Sequence, residues 1–195
     1  LTEMRTIAGP DVTFAPGFTL DGSGDAAALI SDAVAVASAA DVVVVFLGLP
    51  SVAESEGYDR ETIDLPAEQV ALLAEVAQAN PNVVVVLSNG SAVRVSDWQA
   101  GAKAILEGWL LGQAGGGATA DILFGVTNPS GRLTETIPEK LEDNSAYLDY
   151  PGRDGHLAYG DGVFVGYRWY DARDLPVSYP FGHGLSYTSF EYSGL

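Results

Sequence analysis

Cysteine is absent from all 195 residues, which excludes disulfides, thiolate nucleophiles and zinc–thiolate sites together. Histidine is nearly absent: His156 and His183 are the only two, too few for a typical zinc or Ser-His-Asp site. A Mg or Ca ion held by carboxylates is a minority reading, so neither a metal nor a cofactor is expected. Basic residues are also scarce, 9 Lys and Arg against 26 Asp and Glu for a net charge of −17. A field of that sign repels phosphate backbones and anionic lipid surfaces and argues against nucleic acid and membrane partners. No apolar run approaches the ~20 residues of a membrane helix, and no charged-then-apolar leader opens the chain. It reads as soluble, whether cytoplasmic or secreted. Low-complexity tracts and solenoid-spaced repeats are missing as well.

What is present is a 47% hydrophobic composition, enough to fill the core of one domain of ordinary size. Residues 25–39, DAAALISDAVAVASA, carry helical spacing at Ala28, Ile30, Val34 and Ala37, with Asp25 as N-cap. They lead into DVVVVFLG, 41–48, a β-branched run without polar alternation. Such a run is expected of a strand buried on both faces, as in a parallel sheet covered by helices. The unit recurs as PAEQVALLAEVAQAN, 66–80, with Pro66 at the helix start, followed by PNVVVVLSNG, 81–90. Repetition of helix then strand implies right-handed crossovers and an α/β class, a three-layer α/β/α sandwich with a mainly parallel sheet. A third strand is expected within AKAILEGWL, 102–110, and a helix in GGATADILFG; ahead of these, TEMRTIAG and DVTFA read as a short helix and a strand. The core is expected over about residues 1–126. After it comes a long irregular, aromatic-rich segment, about 127–195, that packs outside the sheet or against a neighbouring domain. The whole, 1–195, is one domain. It opens on Leu1 rather than Met and is expected to be a piece of a larger enzyme.

Ligands of open parallel sheets bind beyond the carboxyl ends of the strands. The segment ESEGYDRETIDLP, 54–66, lies there with five acidic side chains and one arginine. One reading is a carboxylic acid for proton transfer, tuned by polar neighbours. The other is a solvated loop in which Asp59 pairs with Arg60 and Asp64 caps the next helix. Position alone favours the second. The glycines of GQAGGG lack both the Gly-Lys-Ser/Thr ending and the G-x-G-x-x-G spacing, so close strand-to-helix packing explains them better than phosphate binding. In SDW, 96–98, Ser96 or Asp97 reads as a helix cap, and Asn89-Gly90-Ser91 is formally a glycosylation acceptor. The tyrosines and tryptophans of 159–180 could stack on sugars, although most aromatics in such a segment are simply packed.

Six ordered stretches, ESEGYDRETIDLP, NPNVVVVLSNGSAV, AILEGWLLGQAGGGATADILFG, NPSGRLTETIP, YGDGVFVGYRWYD and PFGHGLSYTSFEY, together resemble the second, C-terminal domain of glycoside hydrolase family 3, in its β-glucosidase branch. The match runs from about residue 25 to the end of the chain. The resemblance implies a retaining β-glycosidase whose barrel domain carries an aspartate nucleophile and whose α/β sandwich supplies the acid/base glutamate. It places that role on Glu56, within S-E-G-Y-D-R, with Glu54 as fallback and Ser55 and Tyr58 as substrate-binding residues. It also implies a partner, the barrel domain, and a β-glucoside or oligosaccharide substrate. Asp97 resembles the barrel's nucleophile motif only by accident of sequence and is not assigned that role. One departure is Asp161-Gly162, where the family usually reads E-G; it is expected to be structural. The alternatives are a β-xylosidase or other glycosidase of the same family, a carbohydrate-binding or interaction module without catalysis, and a nucleotide-binding domain resting on GQAGGG.

Overall fold

The computed structural model describes residues 1–194. In chain order its elements are helix α1 (Thr2–Ala8), helix α2 (Ala26–Ser38), strand β1 (Val43–Gly48), helix α3 (Ala67–Ala79), strands β2 (Val83–Ser88) and β3 (Ala104–Glu107), helix α4 (Gly115–Leu123), strand β4 (Ile137–Pro138), helix α5 (Tyr167–Arg173) and strand β5 (Val177–Tyr179). The first three strands form one parallel sheet in the order β1-β2-β3. Val43 pairs with Val83 and Gly48 with Ser88, while Val84 pairs with Ala104 and Leu87 with Glu107. The α/β class with a parallel sheet is thus what the chain forms. No helix among the described residues is long and apolar enough to cross a membrane.

Local chemistry explains where these elements begin and end. Asp25 caps α2 as its sequence suggests, its Oδ1 accepting from the N–H groups of Ala27 and Ala28 at 3.1 Å each. Small Ala33 and Ala37 let α2 lie close to α3, whose Leu72, Leu73 and Val76 are buried with them against Val45, Leu47, Val83, Val85 and Leu87 of the sheet. Asn80 ties the two helix ends together: its Nδ2 donates to the carbonyls of Ala37 (2.9 Å) and Ala40 (2.6 Å), and its Oδ1 accepts from Asn82 N–H. A second helix pair, α1 on α4, lies apart from this cluster.

Three expectations are corrected. Strand β2 is buried on both faces, but β1 is an outer strand, and its Phe46 is 49% exposed while Val45 and Leu47 are buried. A run of valines reads the same for a central and an outer strand, because the sheet order is set by the crossovers and not by the run itself. Residues 11–15 form no strand; the Val12 carbonyl accepts from Arg5 Nε instead of a ladder partner. The third strand does lie within 102–110, as Ala104–Glu107, and the chain turns soon after it, where Trp109 takes a left-handed φ of 52°. Asp64 caps no helix: α3 has Pro66 at its N-cap without a side-chain bond, and Asp64 instead accepts from Arg94 Nε at 2.7 Å.

After residue 126 the chain keeps some regular structure. Strands β4 and β5 pair antiparallel, Ile137 opposite Tyr179, with Ile137 reaching the main core. The backbones of Leu133, Gly182 and His183 bond to one another, and Trp169 Nε1 donates to the Asp143 carbonyl at 2.8 Å.

Candidate active site

The carboxyl ends of β1 and β2 meet at Gly48 and Ser88, and the register there leaves no room for a side chain. A Cβ on Gly48 would stand 2.1 Å from the Ser88 carbonyl oxygen. The Gln69 side chain, 1% exposed, then closes the outer edge of β1: its Oε1 accepts from Gly48 N–H at 2.9 Å and its Nε2 donates to Gly48 C=O at 2.8 Å. The amide stands in for the backbone of a neighbouring strand, so the acidic loop leaves the sheet from a fixed point.

A tight turn follows, in which the N–H groups of Ala53 and Glu54 donate to the Pro50 carbonyl. Tyr58 is half exposed, and its hydroxyl donates back to the carbonyls of Ser51, at 3.2 Å, and Val52. Ser55 Oγ donates to the carbonyl of Glu56 at 3.4 Å. Both hydroxyls offered by the sequence as substrate contacts therefore bond to the loop's own backbone. Glu54 turns inward: its Oε2 accepts from Gly90 N–H at 2.7 Å and its Oε1 from Ser91 Oγ at 3.2 Å. Gly57, at φ 98°, reverses the chain just after Glu56. Glu56 is exposed, and among the described residues its carboxylate has no hydrogen-bond or ion-pair partner. Arg60 does not pair with Asp59; its Nη2 donates to Ser91 Oγ at 2.7 Å and to the Ala92 carbonyl at 3.0 Å.

The turn after β2 supplies the other wall. Asn89 is fully buried, its Nδ2 donating to the Ser91 carbonyl and, at 3.4 Å, to Glu107 Oε2. An amide so engaged is no glycosylation acceptor in the folded chain. Glu107, at the end of β3, accepts from Trp109 N–H at 2.8 Å. Burial pushes its carboxyl above the usual range against the pull of that N–H and of Asn89. Behind Arg60 lies a cavity of about 280 Å³ lined by Arg60, Ser91, Ala92, Glu135, Thr136 and Tyr170. Burial raises the Glu135 carboxyl too, opposed by Ala92 N–H and the Arg60 charge. Glu107 and Glu135 escape a motif-based reading; the one signal for Glu107 is an acid followed by glycine at the end of the third apolar run. Asp97 stands apart, in an ion pair with Arg94 at 2.9 Å, and neither it nor Ser96 caps the 3-10 turn Gln99–Gly101. In the GQAGGG turn, a Cβ on Gly115 would lie 2.6 Å from Leu111 Cβ, so close packing accounts for that glycine.

Fold and site together define an α/β domain that presents a free carboxylate on a fastened loop beyond the ends of parallel strands. Residues 4–187 match the family model described as the glycosyl hydrolase family 3 C-terminal domain, and the chain belongs to this family. It is 57% identical over 182 residues to an exo-alpha-(1->6)-L-arabinopyranosidase of Bifidobacterium longum, covering 93% of this chain and 24% of that protein. It is 49% identical to thermostable beta-glucosidase B of Acetivibrio thermocellus, covering 99% of this chain and 26% of the relative. The crystal structure of a Bifidobacterium adolescentis GH3 beta-glucosidase superimposes with a TM-score of 0.91 at 57% identity, over 95% of this chain and 28% of that one. The chain thus spans about a quarter of each protein it matches.

Proposed function

We propose that this chain is the sandwich half of a retaining β-glycosidase acting on terminal non-reducing β-D-glucosyl residues, and that Glu56 is its general acid/base. The observation that carries the reading is the contrast between neighbours: Glu54 is bound to Gly90 and Ser91, whereas Glu56 is exposed and unpartnered at the turn. An acid/base must reach a substrate oxygen, and the Glu56 carboxyl can do so without first giving up a bond, whereas Glu54 cannot.

A retaining mechanism needs a second carboxyl about 5 to 5.5 Å from the first, and the family resemblance puts that aspartate on a barrel domain. Glu56 protonates the glycosidic oxygen as the aspartate attacks C1; it then takes a proton from the water that releases the sugar. Ser55 and Tyr58 shape the loop, and a sugar contact from Tyr58 would come from its exposed ring face.

Hydrolysis of an aryl β-glucoside by the complete enzyme tests the assignment. Glu56→Gln is expected to slow turnover by about 10²-fold or more, with azide restoring it and yielding glucosyl azide, since azide attacks C1 without a base. Glu54→Gln is expected to show no azide rescue. The reverse pattern moves the role to Glu54, and a wild-type enzyme that cleaves no β-glycoside leaves the sugar-binding module. A second substrate reading rests on the arabinopyranosidase relative at 57% identity. The ratio of kcat/KM for aryl α-L-arabinopyranoside and aryl β-D-glucoside decides between them.

A further inference from the structure

The segment from Glu54 to Arg60 is fastened at both ends to the same turn, Gly90 to Ala92, with Ser91 common to both. At one end the Glu54 carboxylate takes Gly90 N–H (2.7 Å) and Ser91 Oγ (3.2 Å). At the other, Arg60 Nη2 reaches the same Ser91 Oγ (2.7 Å) and the Ala92 carbonyl (3.0 Å). Among the described residues Glu54 and Arg60 form no direct ion pair, so a single hydroxyl joins them. A serine hydroxyl has one hydrogen and two lone pairs. The hydrogen goes to the carboxylate and a lone pair receives the guanidinium, and both bonds are charge-assisted. Gly90 belongs to the same design, because a Cβ there would stand 2.8 Å from Glu54 Oε1. Behind Arg60, its Nη1 and Thr136 Oγ1 are buried without protein partners, and Glu135 lines the same cavity. The guanidinium thus shares this cavity with polar groups of the C-terminal segment.

We propose that Ser91 is a positioning residue which, by bridging Glu54 and Arg60, closes the 54–60 loop and fixes where the Glu56 carboxyl stands. The inference rests on Glu56 being the acid/base. Ser91 touches no substrate in this role; it acts through Glu56. Without the hydroxyl, Glu54 keeps one bond to Gly90 and Arg60 keeps one to Ala92, so each loop end hangs on a single bond and the direct link between them is lost. Proton transfer to a leaving oxygen is sensitive to such slack, a 1 Å misplacement costing on the order of 10²-fold. The loss therefore falls on reactions that need the proton.

The test uses the complete enzyme with two aryl β-glucosides, one with a phenol leaving group that needs protonation and one with 2,4-dinitrophenol, which does not. Ser91→Ala is expected to lower kcat/KM for the phenyl glucoside by about 10-fold or more and for the dinitrophenyl glucoside by less than about 3-fold. Ser91→Thr, which keeps the hydroxyl, is expected to recover most of the difference. An equal loss on both substrates, or none, overturns the proposal while Glu56→Gln with azide still reports on the acid/base reading separately. If Glu56→Gln shows no leaving-group dependence, the reading beneath the proposal fails, and the proposal with it. Should Ser91→Ala fail to fold, as judged by circular dichroism, the same pair of substrates is read with Arg60→Lys. A leaving-group split there sustains the clamp, and a uniform loss overturns it.

Discussion

At the residue scale, two glutamates two positions apart have opposite environments, and this was only half legible in the sequence. Spacing could not separate Glu54 from Glu56; the motif resemblance chose Glu56. The contacts supply a physical difference, Glu54 being bonded to a turn more than thirty residues away. Glu107 was invisible for the same reason: its role comes from strand register, which sets it beside Asn89 and not beside any sequence neighbour. Its burial yields a pH prediction. The folded pKa lies above the ordinary 4.5, so the folded state holds a proton that the unfolded chain releases. The associated stability is present below pH ~4.5 and declines as pH rises through the folded value. Glu107→Gln removes that decline, because an amide does not titrate in this range. Urea midpoints between pH 4 and 8 are expected to show the variant gaining on the wild type as pH rises. Parallel curves would mean that Glu107 is already solvated when folded.

At the scale of elements, the helices and the two valine strands were readable because their patterns are local: a capping aspartate, an alanine-rich face, an unbroken β-branched run. What escaped depends on neighbours. Residues 11–15 have strand-like composition but no strand beside them, and β1 differs from β2 only by its place in the sheet. The junction of β1 and β2 is where the fold fixes the site. Both the acidic loop and the Asn89–Ala92 turn leave from Gly48 and Ser88, and the Gly48 position tolerates no Cβ. Because the obstructing atom is backbone, Gly48→Ala must push the strands apart. A destabilisation of about 1–3 kcal/mol is expected from such overpacking, with a fall in kcat of the complete enzyme because both walls of the site shift. Chemical denaturation and kinetics on one preparation check this, and a variant with normal stability and normal kcat would show that the junction does not set the site.

At the scale of the whole molecule, the acidity follows from composition and the class from the repeated helix-then-strand pattern, while the proposed barrel partner is a matter of surface. The second half of the chain leaves Leu148 92%, Tyr159 83% and Tyr192 84% exposed. Phe164, Val165, Tyr167 and Phe181 are also open. Apolar side chains in such number on one segment offer the surface that the proposed barrel domain would cover. This agrees with the chain's spanning about a quarter of the proteins it matches. It also suits the proposed division of labour, with one carboxyl here and the nucleophile on a barrel. Produced alone, the chain is expected to bind a hydrophobic dye such as ANS and to hydrolyse no aryl β-glucoside. Co-expressed with the barrel portion, it is expected to lose dye binding and gain activity together, because one surface serves both. Activity from the isolated chain would place both carboxyls within it and remove the barrel from the mechanism. Dye binding that persists in an active complex would assign the exposed aromatics to some other contact.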